Sequence, residues 1–405
     1  MSQACTRAIP AVLTDFTAED YHARLYEHYA AWRRDTPVFR NQDSVVYLTR
    51  HEDCAQMFGD QRFARRADDG GANPLDNKRQ EPGALHAMIA NWVMFMDPPR
   101  HDIVRRAFGL ALSAREAKLP DAAIRAIAQQ LLEAMAGGAP VVDFVSGFAT
   151  PLPTLVICHL MGLPAADHAR LNAWAIELSS ALDSGAEDAM RAAVPAAVAM
   201  REYFSSFVAS RAADASADFL RSLLEAGASL GLTNAEIIDG CAFLLVAGHE
   251  TTRNLIASGM LALAQNPAQM ALLRNDPALR DAAVEELLRY TGPVQKISRW
   301  TREDLSIGEY EVPRATLVTG LIGAANRDPA CFRDPDLLDI RRSPNPHLAF
   351  GRGRHACIGR SLALKEIGIG YAELLRACGQ IEVIDHRWSR NSSMRSLASL
   401  SLRMR

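Results

Sequence analysis

The chain has 405 residues, with 44 lysines and arginines against 47 aspartates and glutamates, a net charge of −3 and 49% hydrophobic residues. That balance argues against nucleic acid or a membrane surface as partner. The length permits one large domain or two to three ordinary ones, and the apolar content suffices for a sizeable core. Seven cysteines (5, 54, 158, 241, 331, 357 and 378) follow no repeated spacing, which reads as free thiols in a reducing cytoplasm rather than a disulfide framework. The N-terminal stretch from Met1 to Leu25 has no long apolar run, so it reads as neither a signal peptide nor a membrane anchor.

Taken in order, helical signals dominate. Ala18 to Arg34 reads as an amphipathic helix ended by Pro37, Val45 to Thr49 as a strand, and Arg50 to Phe58 as a short helix. Ala67 to Gly83 is rich in Gly, Asp, Asn and Pro and reads as a mobile loop. The more apolar Ala84 to Met96 is placed to fold over a ligand. Helices follow at about Pro99–Leu112, Asp121–Ala136, Phe144–Met161, Ala165–Leu182, Met190–Ala212, Ser216–Glu225, Thr233–Ala264 and Pro277–Tyr290. Between Ile297 and Thr319 short strand-like pieces alternate with turns. No internal repeat and no linker divides the chain. The expected fold is therefore mostly α, one domain over residues 1–405, with a small β-rich part near 40–50 and 297–319.

Four stretches carry chemistry. Asp97-Pro-Pro-Arg-His101-Asp-Ile-Val-Arg105 opens a helix, with proline well placed in its first turn. His101 and Arg105 stand at i and i+4, a spacing that suits a carboxylate and equally a solvated helix face. Ala247-Gly248-His249-Glu250-Thr251-Thr252 lies inside a long helix that is apolar on nearly all sides. There Thr251 is positioned to bond back to the Ala247 carbonyl and open a polar notch; a capped or kinked helix without chemistry is the plain alternative. Glu286-Leu-Leu-Arg289 places an ion pair on one helix face, by itself an ordinary surface salt bridge. Finally, Phe350-Gly351-Arg352-Gly353-Arg354-His355-Ala356-Cys357-Ile358-Gly359 turns a glycine-rich loop into a helix. A thiol there feels the helix N-terminus and nearby N–H groups, which favour thiolate, and a single thiolate with one open face is a haem-iron ligand design. A lone cysteine near glycines is also often just a small buried hydrophobe, and a GxG before a helix can hold a phosphate.

The full Phe-Gly-x-Gly-x-His-x-Cys-x-Gly spacing resembles the haem-binding signature of the cytochrome P450 family, and the other three stretches match that family's motifs in the same order. The resemblance runs from roughly Trp92 to Cys378; the first 90 residues are only loosely similar. It implies the cytochrome P450 fold, a triangular helical prism around a buried haem b. Cys357 becomes the axial iron ligand, and His101, Arg105, Arg299 and His355 hold the haem carboxylates. Phe350, Gly351, Gly359, Ala247 and Gly248 lie against the ring. Glu250 and Thr251 relay protons on the oxygen side, while His249 points away from the haem. Because this acid–threonine pair is intact, nothing points to a peroxide-driven variant. Glu286, Arg289 and Arg342, with Arg341 as the lesser choice, form a buried network that supports the haem loop.

The implied activity is that of a bacterial-type monooxygenase. It inserts one oxygen atom from O2 into a small, largely apolar substrate, hydroxylation first among the outcomes, with electrons from NAD(P)H through a ferredoxin or flavodoxin. Epoxidation, desaturation and oxidative coupling on the same fold are the alternatives. A non-catalytic haem sensor would not need Glu250 and Thr251, and a scaffold with a chance motif would bind no haem. The family's usual positions give Trp92, Val93, Leu244, Ala247, Val294, Gln295 and Met394 as substrate contacts, each of which reads equally as core. Arg352, Arg354, Arg360 and Lys365 are candidate docking cations for an acidic redox partner, or ordinary solubilising charge.

Overall fold

A computed structural model describes residues 7–66, 83–137, 140–211, 219–391 and 393–405. Residues 67–82 of the expected loop, together with Ala212 and residues 216–218 of two expected helices, lie outside the described residues. The helix Asp121–Ala136 has the bounds read from the sequence, and the long helix runs Asn234–Gln265.

Other helices are interrupted where local chemistry demands it. Ala18–Arg34 divides at Arg24 into Glu19–Ala23 and Leu25–Asp35. The break brings the Tyr21 and Tyr29 hydroxyls to 3.0 Å inside an aromatic cluster with Phe16, Trp32, Phe39 and Tyr47. Phe144–Met161 opens as a π-turn, Val145–Ala149, before the α-helix Pro151–Met161. Pro151 has no N–H to donate, and the widened turn accommodates it with Thr150 N bonded to Val145 O at 2.9 Å. Met190–Ala212 becomes Glu187–Ala192 and Val194–Arg211, with Pro195 in the first turn of the second.

The β-rich part is larger than expected. One five-stranded sheet orders Val38–Arg40, Val46–Leu48, Leu317–Leu321, Lys296–Thr301 and Phe63–Ala64. Only the Val46–Leu48 and Leu317–Leu321 pair is parallel. A second sheet joins Val142–Asp143 to the hairpin Ile381–Trp388 and Leu397–Met404. The first hairpin strand is largely exposed and carries charges (IEVIDHRW), so it lacks the apolar alternation that marks a strand. Leu305–Ile307 and Tyr310–Val312 form a small ribbon turning at Gly308, whose φ is +55°.

The long helix is the axis of the main core. Thr233 and Glu236 form a capping box at its start. Helices cross it closely at two glycines. A Cβ on Gly240 would lie 2.1 Å from Phe108 Cζ, and one on Gly259 would lie 2.2 Å from the Tyr371 hydroxyl. That hydroxyl donates to the carbonyls of Leu255 and Ile256, each at 3.0 Å. Tyr371 belongs to the helix Arg360–Ala377 that follows the cysteine loop. The loop and the Ala247–Thr252 segment are thus held in fixed relation by the packing of two helices.

Candidate active site

The cysteine loop is closed by its own backbone. Cys357 N donates to Phe350 O at 2.8 Å, and Gly351 N to Leu348 O at 2.9 Å. Gly351 and Gly353 have φ of +65° and +66°, a region that favours glycine. At Gly353 a Cβ would also stand 2.7 Å from the Phe58 carbonyl oxygen. The Cys357 thiol is enclosed by protein yet keeps accessible surface. Burial pushes it up, while the Gly359 N–H and the charges of Arg105 and Arg360 pull it down; the net direction is upward. A coordinated metal ion would favour the thiolate there. A Cβ on Gly359 would meet nothing within 4 Å.

Beside the loop, the His101 and His355 rings lie 4.2 Å apart, although 254 positions separate them in the chain. His101 is fully buried; its Nδ1 faces Asp102 at 2.7 Å, and its Nε2 has no partner among the described residues. Burial pushes both imidazoles below their ordinary value, and Arg299 deepens the effect on His355. Arg105 donates to the Ala356 carbonyl at 2.6 Å, so it also braces the residue next to the cysteine. Arg299 is 7% exposed and donates to the Ser298 carbonyl at 2.9 Å.

The helix Asn234–Gln265 stays α-helical through Ala247–Thr252, without the local loosening the sequence implied. The Thr251 hydroxyl does donate to the Ala247 carbonyl, at 3.0 Å. Ala247, Gly248, Glu250 and Thr251 retain surface, while Leu244–Val246, His249 and Thr252 are buried. At 100° per residue those four share one face and His249 the opposite one. That face of the core helix is therefore only partly packed. Burial raises the Glu250 carboxyl above its ordinary value; Ser179, Asp183, Arg253 and Asn254 surround it. His249 lies buried in the core: burial pushes it down to about 3, and neither ring nitrogen has a partner among the described residues. The described residues hold no cluster of metal-ligating side chains.

Glu286 and Arg289 form a bidentate pair at 2.7 and 2.8 Å, both side chains fully buried. Arg342 reaches both Glu286 oxygens at 3.2 Å, while Arg341 stays exposed. Arg289 also donates to the carbonyls of Asn326, Pro335 and Leu337. Sequence reasoning missed Glu366, a buried acid on the helix after the loop. Burial holds its carboxyl well above its ordinary value, with the Thr252 side chain against it. The available signal was an acid on that helix's apolar stripe.

Of the expected substrate contacts, Trp92, Val93 and Leu244 are buried in the main core, and Trp92 packs on Phe243 at 5.4 Å. Val294 and Met394 meet in a β-bridge. Gln295 does not join them. Its buried amide instead donates to Gly292 O at 2.7 Å, and its side chain packs on Gly323. Two of the expected docking cations are also engaged: Arg360 with Glu285 at 2.6 Å, and Lys365 with Asp121 at 3.0 Å. Arg354 lies 3.5 Å from Asp102, and Arg352 has no ion-pair partner among the described residues. A cleft lined by Asp102, Arg105, Arg106, Gly353 and Arg354 opens on this side.

The family model described as "Cytochrome P450" matches residues 182–383. Cytochrome P450 107B1 of Saccharopolyspora erythraea is 36% identical over 98% of this chain and 99% of its own. The chain belongs to the cytochrome P450 family. Mycinamicin IV hydroxylase/epoxidase of Micromonospora griseorubida is 34% identical over 91% of this chain and 92% of its own. The crystal structure of P450BioI in complex with hexadec-9Z-enoic acid ligated acyl carrier protein superposes with a TM-score of 0.88 at 32% identity, covering 95% of this P450 and 99% of that chain. The fold is the cytochrome P450 fold, the protein is a haem-iron monooxygenase, and the family binds iron protoporphyrin IX. The residues present fit that group. The unpartnered His101 Nε2, the open space at Gly359, the accessible Cys357 and the opened face at Ala247–Thr251 are what a buried ring with anionic edges requires. No helix of the described residues is long and apolar enough to cross a membrane.

Proposed function

We propose that this P450 inserts one oxygen atom from O2 into a small, largely apolar substrate, with hydroxylation the first expectation. Electrons come from NAD(P)H through a ferredoxin or flavodoxin, and the site of action is the cytoplasm. When bound, the haem supplies electron acceptance and oxygen activation. Cys357 would hold its iron, and His101, Arg105, Arg299 and His355 would receive its carboxylates. Phe350, Gly351, Gly359, Ala247 and Gly248 would lie against its ring.

The observation that carries this reading is the opened face of the long helix, where Thr251 bonds Ala247 O and Glu250 is held above its ordinary value. A raised carboxyl is better matched to giving and regaining a proton near neutral pH. Thr251 keeps a hydroxyl in the same space to pass that proton on. Trp92, Val93, Leu244, Ala247, Val294 and Met394 orient the substrate and exclude water; Gln295 drops out of the set. The acidic redox partner docks against Arg352, Arg354 and Arg106, where cationic charge is least committed. Epoxidation is the second outcome, in line with the name of the mycinamicin IV relative.

The first test is the difference spectrum of the reduced protein with carbon monoxide. A red-shifted Soret band that Cys357→Ser abolishes is expected. An unchanged band in that variant overturns the ligand assignment. NADH-driven turnover with a surrogate ferredoxin system then separates a hydroxylated product from an epoxide.

A further inference from the structure

Arg65 has no place in the motifs, yet it converges on the same spot as Arg299. Its Nη1 donates to the Ser298 carbonyl at 3.0 Å, and Arg299 Nη1 donates to that same oxygen at 2.9 Å. Two permanent cations therefore share one neutral acceptor. The Arg65 Nε is buried and has no partner among the described residues. Its main chain is pinned beside the carboxylate site: Arg65 N donates to Asp97 Oδ1 at 2.9 Å, just ahead of the helix that carries His101 and Arg105. Its guanidinium also lies over the Phe95 ring at 5.2 Å.

Like charges this close repel strongly at low dielectric unless an anion sits with them. Asp97 is the acid that acts on both guanidinium groups. Its oxygens already accept from Arg65 N, Arg66 N and Arg302 Nη2. Burial pulls both guanidinium groups down, Arg65 to about 10, and Arg65 deepens the effect on Arg299. The pair is thus under-neutralised by the chain and calls for a further anion.

We propose that Arg65 is a fifth haem-carboxylate cation, sharing with Arg299 the charge of one carboxylate and setting haem retention and reduction potential. Through Phe95 and Asp97 it also joins that carboxylate to the segment that carries Trp92 and Val93. The assignment rests on the haem carboxylates lying against Arg299 and His355.

The test compares Arg65→Gln, which keeps a donor for the Ser298 carbonyl without the charge, with Arg65→Lys, which keeps the charge. Haem loss from the ferric holoenzyme to excess apomyoglobin and the midpoint potential are the readouts. Arg65→Gln is expected to lose haem about tenfold faster, a typical effect for groups that support a metal site, and to have a lower potential, since a cation near the ring is gone. Arg65→Lys is expected to stay near the unsubstituted protein in potential. Gln and Lys variants that match each other, or a Gln variant with unchanged retention and potential, overturn the proposal. Arg299→Gln is the reference: if it too leaves both readouts unchanged, the carboxylate placement itself is wrong, and Arg65 falls with it.

Discussion

Thr251 is a helical residue whose hydroxyl bonds its own helix at 3.0 Å while the residue stays partly accessible. If it passes protons, Thr251→Ala should lower coupled product formation by about 10²-fold, the lower end of general acid–base effects. The substrate-induced spin-state titration should not move, and Thr251→Ser should restore most of the rate. Asp53 shows the same physics with no part in the site. Its Oδ2 is buried without a partner among the described residues, and burial pushes the carboxyl up to about 6, Glu52 and Asp328 adding to the effect and Arg50 opposing it. The folded chain therefore keeps a proton that the unfolded chain releases above about pH 4. Stability falls as pH rises from about 4 to about 6 and stays lowered beyond. Asp53→Asn should be more stable by about 1–2 kcal/mol at pH 8 in urea unfolding, the gap closing below about pH 4.

At the scale of elements, a polar clamp joins three helices over the proposed substrate space. The Asp239 carboxylate, fully buried on the long helix, accepts from Asn91 Nδ2 at 2.7 Å and from Arg201 Nη2 at 3.1 Å. Asn91 caps the helix Ala84–Ala90, and Arg201 lies on Val194–Arg211. Burial raises the Asp239 carboxyl, and both partners draw it back. Asp239→Ala should cost about 1–3 kcal/mol, because it leaves the two donors without their acceptor. Hydrogen exchange should quicken in Ala84–Ala90, and stopped-flow substrate binding should become faster in both directions. If exchange quickens uniformly along the chain, the clamp is ordinary core.

For the whole molecule, Glu286 is the point where distant segments meet. It binds Arg289 on its own helix, then Arg342, Asn345 and the Asp339 N–H from the segment that leads to the cysteine loop. Removing one partner of a buried pair typically costs about 3–5 kcal/mol, since the other charge is stranded. Glu286→Gln should therefore yield protein that retains little haem by the absorbance ratio of Soret to protein bands. Arg342→Ala should be milder, because Arg289 remains bidentate on the acid.

The sequence by itself determined the motifs and, through them, the family. The cysteine loop, His101 with Arg105, and Glu286 with Arg289 each lie within one turn or one loop, so the spacing alone places them side by side; Glu250 and Thr251 are simply consecutive. The long helices were legible for the same reason, as periodicity is local. The tertiary structure decided everything that depends on distances between remote segments. The hairpin Ile381–Trp388 with Leu397–Met404 exists through pairing across a loop, not through apolar alternation. Gln295 turned to the structural side because the Gly292 carbonyl and the bare Gly323 gave it a place there. The partner of Glu286 became Arg342 by reach. Lys365 and Arg360 were drawn into ion pairs that no spacing announces. Arg65 was invisible because charge neutralisation is a matter of ångströms, and Arg299, with which it shares the Ser298 carbonyl, lies more than 230 positions further along the chain.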